Sequence, residues 1–237
     1  FASDKTDTKT PALYPNTTRV EPKLDLTSSK DQEKLNAGLA AINTGDIKNA
    51  QIQLQQIIDD SKSQYAKALA LQGLGNIKYN KGDYKGAIAL VQQALAIGVM
   101  PNDTYFQLEY ELEQMQMAAQ EYQPALDTVT KWRAEGKKET AASYALEGNA
   151  DYRLDKYADA ITAINKAKSL TDKPEASWNQ ILMASYSESG QDEKAAALAQ
   201  QQLNSSPDDP NALNNAAAVL MQAHKYPEAI QLLEKGR

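Results

Sequence analysis

Cysteine is absent from the 237 residues and histidine occurs once, at His224. The first absence excludes disulfides, thiolate metal sites and cysteine nucleophiles, but fits an oxidising compartment as well as a reducing one. The second leaves no partner for a histidine-rich metal site. Phe and Trp number two each while Ala and Gln abound, a balance that favours helix over sheet. No apolar run approaches the ~20 residues of a membrane-spanning helix. Basic residues are outnumbered, 25 Lys and Arg against 31 Asp and Glu. The net charge of −6 argues against nucleic acid or an anionic membrane as the main partner, because a phosphate-rich surface rewards a basic face. What is present, 42% hydrophobic and 24% charged residues, excludes global disorder and suffices for one large or two small domains.

Residues 1–30, "FASDKTDTKTPALYPNTTRVEPKLDLTSSK", hold three Pro and show no apolar period, so an extended N-terminal tail or linker is expected there. In "SSKDQEKL", Ser29 stands three residues before Gln32, a capping-box spacing that opens an ordered domain at residue 31. A start at Phe1 rather than Met fits a chain processed by loss of a signal peptide or lipid anchor, or a truncated one.

From residue 31 onward an Ala recurs behind a turn-like, often Gly- and Tyr-bearing stretch. It stands at Ala50, Ala87, Ala125, Ala160, Ala195 and Ala229, at spacings of 37, 38, 35, 35 and 34. That is the period of a two-helix repeat. "GNIKYNKGDYKGA" at 75–87 returns as "GNADYRLDKYADA" at 148–160. Gly38, Gly75 and Gly148 offer the small surface that two closely crossing helices need. Gly45, Gly82 and Gly190 offer the backbone freedom of a tight turn. The third repeat departs from this pattern, with Glu113 and Gln120 where a small residue and Gly are expected, so an altered packing angle is anticipated there.

Several of these residues resemble the tetratricopeptide repeat consensus. Leu74 and Gly75 fit its first helix, Gly82, Asp83 and Tyr84 its turn, and Ala87, Ala94 and Leu95 its second helix. Leu182, Tyr186, Gly190, Ala195 and Pro207 fit in the fifth repeat. The resemblance implies an all-α fold, a right-handed superhelix (solenoid) of six repeats over 31–237, starting near 31, 68, 106, 141, 176 and 210. It also implies a non-enzymatic protein-interaction scaffold, without cofactor or metal, whose first helices line a concave groove.

The residues themselves offer little chemistry. His224 occupies a turn position. "AEGKKET" lacks the first Gly and the Ser or Thr of a phosphate loop, and "QGLGN" lacks the third Gly and the preceding strand of a dinucleotide loop. Glu109 and Glu113 lie four apart on one helical face, with Glu111 pointing elsewhere, and the set reads as a solvated acidic stripe.

Carrying the family's groove positions onto this chain names Asn76, Tyr79, Tyr110, Met117, Asn149, Tyr152 and Arg153 as the peptide- or protein-binding groove. Asn amides pair with a peptide backbone as donor or acceptor, and Tyr offers rigid amphipathic area. Tyr79 and Tyr152 also suit packing between helices, and that alternative stays open. The Lys/Arg clamp of heat-shock co-chaperones is missing, since Leu35, Gln72 and Glu111 stand at its positions. The order "LALQGLGNIKYNKGDYKGAI … YALEGNADYRLDKYADAI … EASWNQIL", with Trp178 and the lengthened turn at Pro101, is similar to periplasmic TPR proteins of the TonB–ExbB–ExbD system of Gram-negative bacteria. That narrower resemblance implies an exported protein that contacts TonB-system components. A self-assembling adaptor remains the alternative, because the last helix carries apolar Ile230, Leu232 and Leu233 that another chain or further C-terminal residues must cover. A further reading lays the N-terminal tail in the groove of its own molecule as an autoinhibitory segment, with Leu13 and Tyr14 as anchors.

Overall fold

The computed structural model describes residues 10–25 and 28–236, which form six helical hairpins and, among the described residues, no strand. The first three hairpins are α1 (Ser29–Thr44) with α2 (Ile47–Asp60), α3 (Gln64–Asn80) with α4 (Tyr84–Ile97), and α5 (Asn102–Ala118) with α6 (Tyr122–Gly136). The last three are α7 (Ala141–Arg153) with α8 (Tyr157–Ser169), α9 (Ala176–Glu188) with α10 (Asp192–Ser205), and α11 (Pro210–Gln222) with α12 (Tyr226–Lys235). The chain divides into two compact units, Phe1–Lys138 and Glu139–Arg237, each holding three hairpins.

Local chemistry explains the helix boundaries. The cap of α1 is Ser28, not the anticipated Ser29: its side chain accepts from the Asp31 amide and Ser29 is already helical. Asp46, Ser63, Asp83, Thr140 and Asp209 cap α2, α3, α4, α7 and α11 in the same way. Every hairpin turns through one residue of left-handed backbone, Gly45, Gly82, Gln120, Asp155, Gly190 or His224. Three of the six are not Gly, so half the turns carry a side chain in a conformation that costs roughly 1–2 kcal/mol. His224 lies there exposed, with its ring nitrogen 2.9 Å from the Tyr226 hydroxyl.

The recurring small residues set how closely each pair crosses. A Cβ on Gly38 would lie 2.8 Å from Leu54, and one on Gly148 2.7 Å from Ile164. The partnering Ala50, Ala87, Ala125, Ala160, Ala195 and Ala229 are all fully buried. In the first unit, α2 packs on α3, α4 on α5, and α1 also touches α3, around a core that includes Leu54, Ile57, Val91 and Leu108. In the second, α8 packs on α9, α10 on α11, and α7 touches α9, around Ile164, Leu182, Ala199 and Ala216.

Candidate functional site

Asn76 and Tyr79 lie one turn apart near the end of α3, in the first unit; Asn149 and Tyr152 hold the same register on α7, in the second. Both Asn side chains are half-buried. Each Tyr leans on the Tyr that opens the following helix. Tyr79 meets Tyr84 with ring centroids 5.2 Å apart, and Tyr152 meets Tyr157 at 5.9 Å. Tyr79 nevertheless keeps 36% of its surface exposed. Each Tyr therefore packs beside the turn and stays partly exposed at once, so packing and presentation are not exclusive. Arg153 is exposed beside Tyr152, and Met117 is half-buried on α5.

Tyr110 has a different setting. Its ring lies 5.0 Å from Trp132 of α6, half-buried, at the margin of an aromatic socket formed by Phe106, Trp132 and Tyr14. Tyr14 belongs to the N-terminal segment and is 6% exposed. It tilts on Phe106 at 4.7 Å and meets Trp132 edge-on at 5.8 Å, while the Trp132 indole N–H donates to its hydroxyl at 3.3 Å. Burial raises the Tyr14 hydroxyl above its ordinary range, against the lowering effect of that indole bond.

The rest of the segment runs along the first unit against the order of the hairpins. Thr17 donates to the Glu135 carbonyl at 2.7 Å. Arg19 reaches the Met100 carbonyl and the Asn102 side chain, with its guanidinium 4.1 Å above the Tyr105 ring. Glu21 accepts from the Asn102 amide at 2.9 Å, at the start of α5, which has no side-chain cap of its own. Asp25 accepts from the Gln64 and Tyr65 amides at 2.6 and 3.1 Å and from the Ser63 hydroxyl, at the start of α3. Desolvation pushes the Asp25 carboxyl up, but these hydrogen bonds outweigh it and hold the group below the usual carboxylate range. Residues 13–25 thus form a strap across the ends of the second and third hairpins.

Glu109 and Glu113 are not a solvated stripe: they are 2% and 0% exposed. Glu113 occupies the register of Gly75 and Gly148, inside the crossing of its hairpin, and neither of its carboxylate oxygens has a hydrogen-bond partner. Desolvation raises its pKa to about 7. Glu109 is also raised to about 7, by desolvation and then by Glu135; Lys131, 4.0 Å away, Tyr105 and Arg19 act the other way. Asp151 on α7, 4% exposed, is raised to about 7 by desolvation and by neighbouring Glu147 and Asp159. Nothing joins these carboxylates into a metal cluster among the described residues.

Two open grooves accompany these features. In the first unit a groove of about 600 Å³ runs between α2 and α4 over Leu74 and Leu90, beside exposed Ile52. In the second, a groove of about 590 Å³ lies among α9, α10 and α11 and is lined largely by side-chain amides. Neither groove includes a residue of the Asn–Tyr pairs.

No protein-family model matches the chain, and no curated protein does. Solved structures do. A tetratricopeptide repeat protein from Parabacteroides merdae ATCC 43184 superimposes with a TM-score of 0.69 at 15% identity, covering 88% of this chain and 79% of that one. The fold is that of a tetratricopeptide-repeat array. MamA 41-end from Desulfovibrio magneticus RS-1 aligns with the array at a TM-score of 0.61 and 20% identity, over 74% of this chain and 94% of its own. YrrB, described as a TPR protein with an unusual peptide-binding site, aligns at 0.58 and 15% identity, over 77% of this chain and 90% of its own. No helix of the array, among the described residues, is long and apolar enough to cross a membrane.

The aromatic partners of Tyr14 and the buried Glu113 were missed by reasoning from sequence, although Tyr14 itself, with Leu13, is an expected anchor of the tail. A signal for the first existed: in a chain with two Phe and two Trp, one of each falls in the third repeat, on facing helices.

Proposed function

We propose that the chain is a non-enzymatic scaffold that binds an extended segment of a partner protein on the faces carrying the Asn–Tyr pairs. The observation that carries this reading is the recurrence of a half-buried Asn one turn before a partly exposed Tyr, on α3 and again on α7. Such a pair offers amide donors and acceptors to a peptide backbone, and a ring already braced by a neighbouring Tyr loses little freedom on binding. The shared fold with YrrB, whose description names a peptide-binding site, supports the ligand class. Met117, Arg153 and the half-buried ring of Tyr110 extend the same surfaces within their own units. The test is a pull-down from the native host with Tyr79→Ala/Tyr152→Ala. The variant should lose the partner while keeping its helical circular dichroism and melting within a few degrees; collapse of the fold would assign both rings to packing alone.

The sequence resemblance to TonB-associated proteins supports a narrower version, in which the chain works in the periplasm and the partner belongs to the TonB–ExbB–ExbD system. Crosslinking in intact cells followed by recovery of ExbB or TonB with the chain tests it, and labelling of the chain only in the cytoplasm overturns it.

A second reading, self-association, rests on one observation. Leu233 of α12 is 44% exposed, whereas its counterparts Leu54, Val91, Val129, Ile164 and Ala199 are 0–1% exposed. Together with Tyr226 and Ile230 it leaves an apolar stripe on the last helix, which a second copy of the chain, or chain beyond Arg237, would cover. Sedimentation over a hundredfold dilution decides: a constant monomer mass removes this reading.

A further inference from the structure

The socket that holds Tyr14 has a counterpart elsewhere in the chain. Counted from the buried Ala of each repeat, Phe106, Tyr110, Trp132 and Gly136 around Ala125 correspond to Ala176, Gln180, Gln202 and Ser206 around Ala195. The first four form or border the aromatic socket, where Gly136 stands so close that an added Cβ would lie 3.0 Å from the Tyr14 ring. The second four all line the 590 Å³ groove of the second unit. One register of the repeat is thus filled by a piece of extended chain in one unit and left open in the other.

The chemistry of the open site differs in a readable way. The aromatic walls of the first socket are replaced by a small residue and two amides, which removes ring contacts and leaves room. Asn211 and Asn215 of α11 add further amides on the facing side. Gln202 stands where Trp132 donates to the Tyr14 hydroxyl, and its amide offers the same donor. Charge is nearly absent from the lining: Lys168, already bound to the Asn179 side chain at 2.8 Å, is offset by Asp209, which caps α11. The segment that fills the first socket is itself uncharged, from Pro11 to Thr18. Amides match a peptide backbone or a phenol better than they match an ion.

We propose that the groove among α9, α10 and α11 binds an extended, uncharged segment of a partner protein that inserts a Tyr beside Gln180 and Gln202, as Tyr14 inserts beside Tyr110 and Trp132. This site goes beyond the Asn–Tyr surfaces and stands or falls separately from them.

The probe is a synthetic peptide of residues 11–18, PALYPNTT, carrying a photoreactive benzoylphenylalanine in place of its Tyr, and the target is the full chain with its own strap in place. Crosslinks should map to α9, α10 and α11, and Gln180→Ala/Gln202→Ala should weaken binding of the unmodified, fluorescein-tagged peptide at least fivefold without shifting the melt. Ala176→Phe/Gln202→Trp, which rebuilds the aromatic walls, should tighten it several-fold, a gain that misfolding cannot mimic. Tyr79→Ala/Tyr152→Ala should leave peptide affinity unchanged. Crosslinks confined to α5 and α6 would show simple exchange with the strap and overturn the proposal. So would equal binding of a scrambled peptide, equal affinity in the alanine variant, or no gain on rebuilding the walls. Dimerisation without peptide, with residue 14 of one copy crosslinking to α10 of another, would make the occupant a second copy and not a partner.

Discussion

Glu113 is a carboxyl in a place built for a hydrogen atom. Gly75 and Gly148 hold the same register in α3 and α7, and in α5 a full side chain is enclosed there with no hydrogen bond to either oxygen. Desolvation favours the neutral acid, so its folded pKa, about 7, lies above the ordinary 4.5. The folded state therefore holds the proton more tightly than the unfolded chain does. Stability is fully present below about pH 4.5 and falls as pH rises through about 7, by an amount on the order of 3 kcal/mol for a shift of this size. Thermal melts should show a more stable protein at pH 5 than at pH 8, and Glu113→Gln should flatten much of that difference; Glu109 and Asp151, raised in the same direction, account for what remains. The left-handed turn residues give a second single-residue expectation. Gln120 has a φ of 60° at a position where three other turns use Gly. Gln120→Gly should raise stability by about 0.5–1 kcal/mol, seen as a higher melting temperature, because relief of the strained backbone exceeds the entropy glycine adds to the unfolded chain.

At the scale of the element, each hairpin is a contest between helix propensity and room. Replacing a mid-helix Gly with Ala gains roughly 1 kcal/mol of propensity, so the space around the new methyl decides the sign. At Gly148 the methyl would meet two carbons of Ile164 at 2.7 Å, and overpacking of this kind costs about 1–3 kcal/mol. Gly148→Ala should lower stability by about 1–2 kcal/mol in denaturant titration. Gly75→Ala, with its nearest contact at 3.1 Å from Val91, should come out close to neutral. This is also why the fold was legible in the sequence. The crossing leaves Gly or Ala at fixed spacings, the turns leave Gly, and six repetitions of a weak signal make a strong one. The shared register of the Asn–Tyr pairs on α3 and α7 was legible for the same reason, since a recurrence inside a repeat stands out. Glu109 and Glu113 were not, because carboxylates four apart on an amphipathic helix are normally at the surface; the repeat register marked Glu113 as a departure but read it as a change of packing angle, not as a buried acid. Tyr14 was legible as an anchor of the tail but its pairing was not: its partner Trp132 is 118 residues away, and no local pattern records such a contact.

At the scale of the molecule, the strap of residues 13–25 changes what kind of object the first unit is. Tyr14→Ala should remove an enclosed aromatic contact and destabilise this unit by about 3 kcal/mol, with Trp132 emission shifting to the red as its socket opens. Leu13→Ala, at a side chain 50% exposed, should change stability by no more than about 0.5 kcal/mol. An array of hairpins without such a strap touches only its nearest neighbours, so it frays from its ends and its parts melt nearly independently. Here the chain bonds to the start of α3, the start of α5 and the end of α6 before α1 has begun. Contacts that distant in sequence must be closed against chain entropy, which slows folding relative to a purely local array. The same closure ties the second and third hairpins into one cooperative event: under denaturant these two should open together, not one at a time.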